Sequence, residues 1–218
     1  MKKIILISIG FLVLVVAGSA LAHQPRLVSD EKLIQVENPE VSQAFYGELK
    51  GEPVYYQIEA EENFSLYLGL LSPQIEGADK DFSVEVSKEK EIVFILDGPS
   101  QEWESFYEEF GGDYYYQGPD NKISAEAGLY TLKVFSPDNQ GKYVLVVGEK
   151  EEFPLNEIAR TVKTLPKLKK DFFEKSPWSA FLNRIGLFLS IPILILIVLV
   201  VIIILVFKRI KRKESKAE

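Results

Sequence analysis

The feature that most constrains this chain is a run of 23 uncharged residues, 185–207, in which Ser190 is the only polar side chain. A helix rising about 1.5 Å per residue over this run would be long enough for the roughly 30 Å hydrocarbon core of a membrane. Cations follow immediately, in a basic tail over 208–218. Because cytoplasmic flanks are enriched in Lys and Arg, the run predicts one transmembrane helix with its C-terminus in the cytoplasm.

The N-terminus reads as a secretory signal peptide over 1–22. Lys2 and Lys3 precede an apolar stretch, and Ala20 and Ala22 form a small-residue cleavage site. An uncleaved N-terminal anchor is the alternative, and it would give the same topology. Residues 23–184 are therefore predicted to lie outside the cell membrane. The chain has no cysteine, so this exported part must rely on its core rather than on disulfides.

The exported part shows apolar residues alternating with polar ones, which is typical of β-strands. Turns rich in Gly, Pro, Asp and Asn separate the segments at intervals of about ten residues. The pattern predicts an all-β fold, a jelly-roll-like β-sandwich over 23–152. Residues 91–96 form a more continuous apolar run, which predicts a central strand that is covered on both faces. The predicted strands are 32–36, 44–49, 54–59, 64–71, 82–86, 91–96, 128–135 and 142–147.

The last two predicted strands share the pattern Gly-x-Tyr-x-Leu-x-Val, which begins at Gly128 and again at Gly141. Alternation places Tyr, Leu and Val on one face of each strand. The pattern resembles the closing hairpin of bacterial pre-peptidase C-terminal domains, and residues 55–59 and 64–68 are similar to that family's opening strands. The resemblance implies a jelly-roll-like sandwich that aids secretion or binds a surface, rather than a catalyst. Here it would be a lone, membrane-anchored copy.

A long excursion over 98–122 is the most distinctive part of the sandwich sequence. Trp103, Phe106, Tyr107 and Phe110 recur at helical spacing, which predicts a short helix over 101–110. The excursion either plugs one end of the sandwich with its aromatic rings or forms a binding surface of rings and carboxylates. The second interpretation gives a set of candidate ligand-binding residues: Trp103, Tyr107, Asp113, Tyr114, Tyr115 and Asp120.

Composition limits the chemistry that the chain can perform. The absence of cysteine excludes a Cys-His nucleophile system, and a single histidine excludes zinc bound by paired histidines. Residues 23–152 contain 27 acidic and 10 basic residues, which argues against nucleic-acid binding. Turn carboxylates make Asp79 and Asp81 a candidate calcium site, although no calcium-binding loop motif is present. We expect a protein that is not an enzyme.

Residues 153–184 predict an amphipathic neck between the sandwich and the membrane. Its apolar stripe either packs on the sandwich or lies on lipid headgroups, with its lysines toward the anionic surface. The chain as a whole is interpreted as a non-catalytic binding module at the cell surface, with membrane lipid and an extracellular glycan or protein as partners. The alternative is a structural or accessory subunit of an envelope membrane complex.

Overall fold

The structure is a computed structural model that describes residues 23–29, 33–109 and 111–214. These residues fall into two compact units, 23–180 and 181–214. The larger unit contains the β-strands and the helix that follows them, and the smaller contains the C-terminal helix. The predicted signal peptide and the last four residues of the predicted basic tail lie outside the described residues.

Strands in the described part of the chain form two sheets that pack face to face, as the alternating pattern predicts. Sheet A has the order β1-β3-β11-β5-β9-β8, and sheet B has the order β2-β4-β10-β6-β7. Neighbours are antiparallel except for β1 with β3 and β2 with β4. The strands are β1 (Gln24–Leu27), β2 (Leu33–Gln35), β3 (Gln43–Lys50), β4 (Val54–Ala60), β5 (Phe64–Pro73), β6 (Ser83–Lys88), β7 (Glu91–Leu96), β8 (Glu104–Glu108), β9 (Asp113–Ala125), β10 (Gly128–Phe135) and β11 (Gln140–Val147).

The core lies between the two sheets. Alternate residues of β10 and β11 are buried in it, as the strand phase predicts: Tyr130, Leu132, Val134, Tyr143, Leu145 and Val147. The hydroxyl groups of Tyr56 in sheet B and Tyr143 in sheet A hydrogen-bond across the core at 2.8 Å. Burial raises the pKa of both phenols, so both remain neutral and able to share this bond.

The strands β10 and β11 do not form the closing hairpin that the sequence predicted. β10 pairs with β4 and β6 in sheet B, whereas β11 pairs with β3 and β5 in sheet A. The turn over 136–139 therefore crosses from one sheet to the other. A glycine with positive φ still lies at the start of each strand: Gly128 is the first residue of β10, with a φ of 145°, and Gly141 is the second residue of β11, with a φ of 100°. An L side chain would be strained at either position.

The strand covered on both faces is β11 rather than β7. Val144 and Val146 point away from the core by alternation, yet both are buried. β7 lies at the edge of sheet B and exposes three apolar side chains, so its predicted central position is wrong. A continuous apolar run indicates a central strand only when a second layer covers it, and that layer lies on sheet A.

The neck supplies part of this second layer. The neck consists of α1 (Leu155–Lys167), a π-helical turn (Leu168–Phe172) and a 3₁₀ turn (Pro177–Phe181). α1 lies beside β1, where the Arg26 guanidinium is 2.8 Å from the Glu157 carboxylate. Leu165 and Leu168 are buried, whereas Leu155, the first residue of α1, is exposed. Of the two alternatives for the neck, packing against the sandwich is the one observed.

The C-terminal unit is dominated by α2 (Arg184–Glu214), which includes the uncharged run. Its described apolar side chains between Ile193 and Phe207 are mostly exposed. Within the described residues, no helix is both long and apolar enough to cross a membrane. The transmembrane helix over 185–207 is therefore not established and stays a prediction.

Candidate functional site

The excursion that carries the candidate ligand-binding residues is a β-hairpin, not a helix. β8 pairs antiparallel with β9, so that Phe106 lies opposite Tyr115 and Tyr107 opposite Tyr114. These cross-strand aromatic pairs favour an extended backbone more than the helical spacing favours a helix. The predicted helix over 101–110 is therefore wrong, and Phe110 lies outside the described residues.

One face of this hairpin is buried beneath the neck. The rings of Phe106 and Tyr115 stack with centroids 5.7 Å apart, and Phe173 of the neck meets Tyr115 edge-on at 5.4 Å. Tyr115 is 3% exposed, and its hydroxyl lies 3.2 Å from that of Tyr46. Burial raises the pKa of Tyr115 well above its usual value. Tyr115 therefore stabilises the neck on the sandwich and is not available to a ligand.

Asp113 is buried on the same face, where it binds the neck by two ion pairs. Its carboxylate contacts Lys169, which is fully buried in the π-helical turn, and lies 2.9 Å from Lys175. Lys169 also donates to the carbonyl of Gly111 at 2.6 Å. Burial lowers the pKa of Lys169, and the neighbouring Asp113 charge opposes that shift. Asp113 is therefore a structural anchor for the neck rather than a ligand-binding carboxylate.

Trp103, just before β8, belongs to the main core. Its ring is 9% exposed, and its indole N–H donates to the carbonyl of Gly98 at 3.0 Å. Gly118 of β9 lies directly against the ring, because a Cβ added there would approach it to 2.6 Å. The plug interpretation of the excursion is therefore correct for Trp103.

The other face of the hairpin exposes Tyr107 and Tyr114. Their side chains are 47% and 52% exposed, and their ring centroids are 4.8 Å apart with the planes inclined at 48°. Alternation places them on the face opposite Phe106 and Tyr115, which are held by the neck. The structure thus brings two of the six candidate residues together as an exposed aromatic surface, the Tyr107–Tyr114 face.

Asp120 is remote from this face. It lies seven residues beyond Asp113 on β9, which corresponds to about 20 Å along a strand. There it is exposed and hydrogen-bonds the hydroxyl of Tyr67. Burial, and then the charge of Asp120, raises the pKa of Tyr67 to about 12. The predicted arrangement of aromatic rings flanked by Asp113 and Asp120 is therefore not a single site.

Sequence reasoning missed the residues of the neck that hold the hairpin. Lys169 and Phe173 lie 56 and 58 residues after their partners Asp113 and Tyr115, so no local motif connects them. The one available signal was their position in the predicted amphipathic neck. Lys169 follows Leu168 directly, so it borders the apolar stripe, and a lysine there is a candidate for a buried ion pair.

The candidate calcium residues Asp79 and Asp81 lie near the turn between the two sheets. A Cβ on Gly141 would come within 2.5 Å of the Asp79 carboxylate. One carboxylate oxygen of Asp81 is buried without a hydrogen-bond partner among the described residues. Burial, followed by the charges of Asp79 and Asp138, raises the pKa of Asp81. In the described ranges, no group of three or more His, Asp or Glu side chains is placed to hold a metal ion, and calcium binding stays a prediction.

Replacing Asp81 tests whether its carboxylate binds calcium or is only a partly buried charge that lowers stability. Since the folded pKa is raised, the ionised carboxylate costs stability at neutral pH, and protonation relieves this cost as the pH falls. We expect Asp81→Asn to raise the melting temperature at pH 7, with the difference vanishing near pH 3. Glu59→Gln, at an exposed site, serves as the control. A calcium site would instead give a parent protein stabilised by millimolar calcium and a variant that is not.

Comparisons with known proteins add a distant structural likeness. No family model matches the sequence, and no curated protein matches it. The pre-peptidase C-terminal domain of a Bacillus anthracis collagenase aligns with 55% of this chain and 97% of its own, at 11% identity and a TM-score of 0.35. β-Glucosidases from Kluyveromyces marxianus and Paenibacillus barengoltzii align with 53% and 58% of this chain, at 15% and 12% identity and TM-scores of 0.27 and 0.24.

These likenesses are too weak to assign a function. This chain spans only 13% of the length of either glucosidase. All three alignments have TM-scores well below one half, so nothing is carried over from those proteins. The two sheets themselves establish a β-sandwich, and membership of the pre-peptidase C-terminal family stays a prediction.

Proposed function

We propose that this protein is a non-catalytic binding module at the outer surface of a cell, which contacts an extracellular glycan through the Tyr107–Tyr114 face. The observation that carries this proposal is the exposure of two adjacent rings on a hairpin whose other face is buried. Exposed aromatic rings present a flat apolar surface against which a sugar ring packs.

The neck supports this proposal because it holds the hairpin still. Phe173 packs on Tyr115, and Lys169 pairs with Asp113, directly behind the exposed rings. A ligand that meets a surface already ordered loses less conformational entropy on binding. This arrangement is favourable for a weakly held ligand such as a surface glycan.

The location at the membrane is part of the same proposal. The uncharged run over 185–207 and the cations that follow it favour an anchor in membrane lipid, with the C-terminus in the cytoplasm. α2 is helical throughout that run, and its described apolar side chains are mostly exposed. If residues 185–207 span the membrane with the C-terminus in the cytoplasm, residues 23–180 lie outside the cell.

Replacing the two tyrosines tests the binding proposal. The full chain in mild detergent is mixed with purified insoluble cell-wall glycan, and the sedimented fraction is measured. We expect Tyr107→Ala and Tyr114→Ala each to weaken binding by about fivefold or more, as for the central residues of an interface. Tyr55→Ala removes an exposed tyrosine from sheet B and is the matched control.

Melting temperatures of the three variants should stay close to that of the parent, because the replaced rings are about half exposed. Equal binding by the parent and both hairpin variants would contradict the proposal. Binding that survives enzymatic removal of the glycan but not protease treatment of the wall material would identify a protein ligand instead.

The alternative, an accessory subunit of an envelope complex, is favoured by a different observation. The edge strand β7 exposes apolar side chains that neither a binding module nor a soluble sandwich requires.

A further inference from the structure

The edges of the two sheets differ in how well they are protected against pairing with another strand. An uncovered edge presents free backbone N–H and C=O groups, and native proteins shorten, charge or cover such edges. In the described chain, sheet A ends at β1 and β8, and sheet B ends at β2 and β7. Three of these four edges are covered, short or charged at both ends, whereas the fourth, β7, has only a bulge and one charge at its start.

The protections are simple. α1 lies beside β1, and β2 is only three residues long. β8 carries an exposed glutamate, Glu104, and ends at Glu108. β7, by contrast, has six residues, and its only charged residue is Glu91 at its start.

The exposed side chains of β7 are apolar. Ile92, Val93 and Ile95 are 60%, 45% and 49% exposed. In the β6–β7 ladder Ile92 pairs with Ser87 and Ile95 with Glu85, with a bulge at Val93 between them. Since Ser87 and Glu85 are two residues apart and share a face, Ile92 and Ile95 also share a face despite their odd spacing. An apolar strip therefore follows the free edge of sheet B.

We propose that β7 pairs with β7 of a second copy of this chain, antiparallel, to join two sheets B into one. A two-fold axis between Val93 and Phe94 places Ile92 of each copy opposite Ile95 of the other. The same register places Lys90 beside Asp97 of the partner copy, and both residues are exposed. Each apolar contact and each ion pair then occurs twice, as an isologous interface requires.

This self-complementarity is the reason to favour a second copy over a foreign peptide. Lys90 and Asp97 flank the apolar strip at equal distances from its centre, so the strip matches its own reverse. A foreign strand would satisfy the backbone groups equally well but would leave the symmetric placement of these charges unexplained. The interface lies on sheet B, whereas the Tyr107–Tyr114 face belongs to sheet A, and the dimer does not depend on the function proposed for that face.

The proposed β7–β7 register can be tested by disulfide crosslinking, because the chain has no native cysteine that would form other disulfides. Opposed residues of an antiparallel pair have Cα atoms about 5 Å apart, within disulfide range, whereas Ile92 and its symmetry mate would be about 10 Å apart. The full chain in mild detergent is used, with Ile92→Cys and Ile95→Cys prepared separately. We expect mild oxidation to crosslink the mixture about tenfold faster than either variant alone. Ser105→Cys, exposed on the glutamate-protected edge β8, is the control.

Charge exchange gives a second, independent readout by sedimentation equilibrium. Lys90 has a positive φ of 76°, which aspartate tolerates, so Lys90→Asp should fold normally. We expect this variant to weaken dimerisation about tenfold and the pair Lys90→Asp with Asp97→Lys to restore it. A monomeric parent at tens of micromolar, or a dimer unaffected by Ile92→Lys with Ile95→Lys, would overturn the proposal. So would faster crosslinking of Ile92→Cys alone than of the mixture.

Discussion

Asp113→Ala is expected to lower the free energy of unfolding by about 3–5 kcal/mol, the usual cost of removing one partner from a buried ion pair. The reason is that Lys169 would remain in a fully buried position without its carboxylate. For a unit of this size, that loss lowers the melting temperature by about 10 °C. Thermal unfolding of the full chain in mild detergent measures the effect.

Two further variants identify the origin of that loss. Lys175→Ala removes the partner that is 44% exposed, and should cost no more than about 1 kcal/mol. Replacing both buried charges, as in Asp113→Leu with Lys169→Met, should recover most of the stability, because apolar pairs replace buried ion pairs well. Asp113→Ala within about 1 kcal/mol of the parent would show that the pair does not hold the neck.

Hydrogen exchange should show where Asp113→Ala acts. The neck meets sheet A through Lys169, Phe172 and Phe173, so amides of the π-helical turn should lose protection first. The central strands β10 and β11 should keep theirs until global unfolding. Equal loss of protection throughout the unit would mean that the neck and the sandwich unfold as one.

Alternation in the sequence located most of the strands, because one buried face imposes a period of two. Bounds of β7 and β10 agree with the prediction at both ends, and Tyr130, Leu132 and Val134 point to the core as expected. What alternation could not predict is which strands pair. β10 and β11 are adjacent in sequence but lie in opposite sheets. The turn residues between them are compatible both with a hairpin and with a crossing between sheets, so the sequence does not distinguish the two.

Sequence patterns missed β1, β8 and β9, and the last two show two ways in which local signals mislead. In β8, aromatic residues at helical spacing compete with cross-strand pairing, which only the partner strand reveals. β9 contains Gly118 and Pro119 in its interior, and these residues ordinarily indicate a turn. Both fall where the β5–β9 register shifts, between the pairs Leu71–Gln117 and Gly69–Asp120. A bulge accommodates a proline that cannot donate to the ladder, so the strand continues past it.

The candidate site was predictable only in part, for a related reason. Successive residues of a strand point to opposite faces, and Tyr114 is accordingly exposed while Tyr115 is buried. Which face of the β8–β9 hairpin is free to contact a ligand depends on what covers the other face. The neck covers it, and it follows β9 by some 30 residues, with no motif that connects the two.

Leu132→Asp is expected to abolish cooperative folding altogether. Leu132 is fully buried at the centre of β10, which is itself the middle strand of sheet B. Removing its side chain alone, as in Leu132→Ala, costs about 2–5 kcal/mol. An aspartate there adds several kcal/mol for an unpaired carboxylate, or for the proton needed to neutralise it. The sum approaches the whole stability of a typical domain, about 5–15 kcal/mol.

The matched control lies on the same strand. Leu129 is exposed on β10 opposite Glu59, so Leu129→Asp should cost only about 1 kcal/mol, from the new like-charge pair and the low strand propensity of aspartate. Near-ultraviolet circular dichroism and thermal unfolding of the full chain in mild detergent distinguish the two outcomes. A Leu132→Asp protein that melts cooperatively near the temperature of the parent would mean that the faces of β10 are assigned the wrong way round. The packing of Tyr130 and Val134 between the two sheets would then be wrong with it.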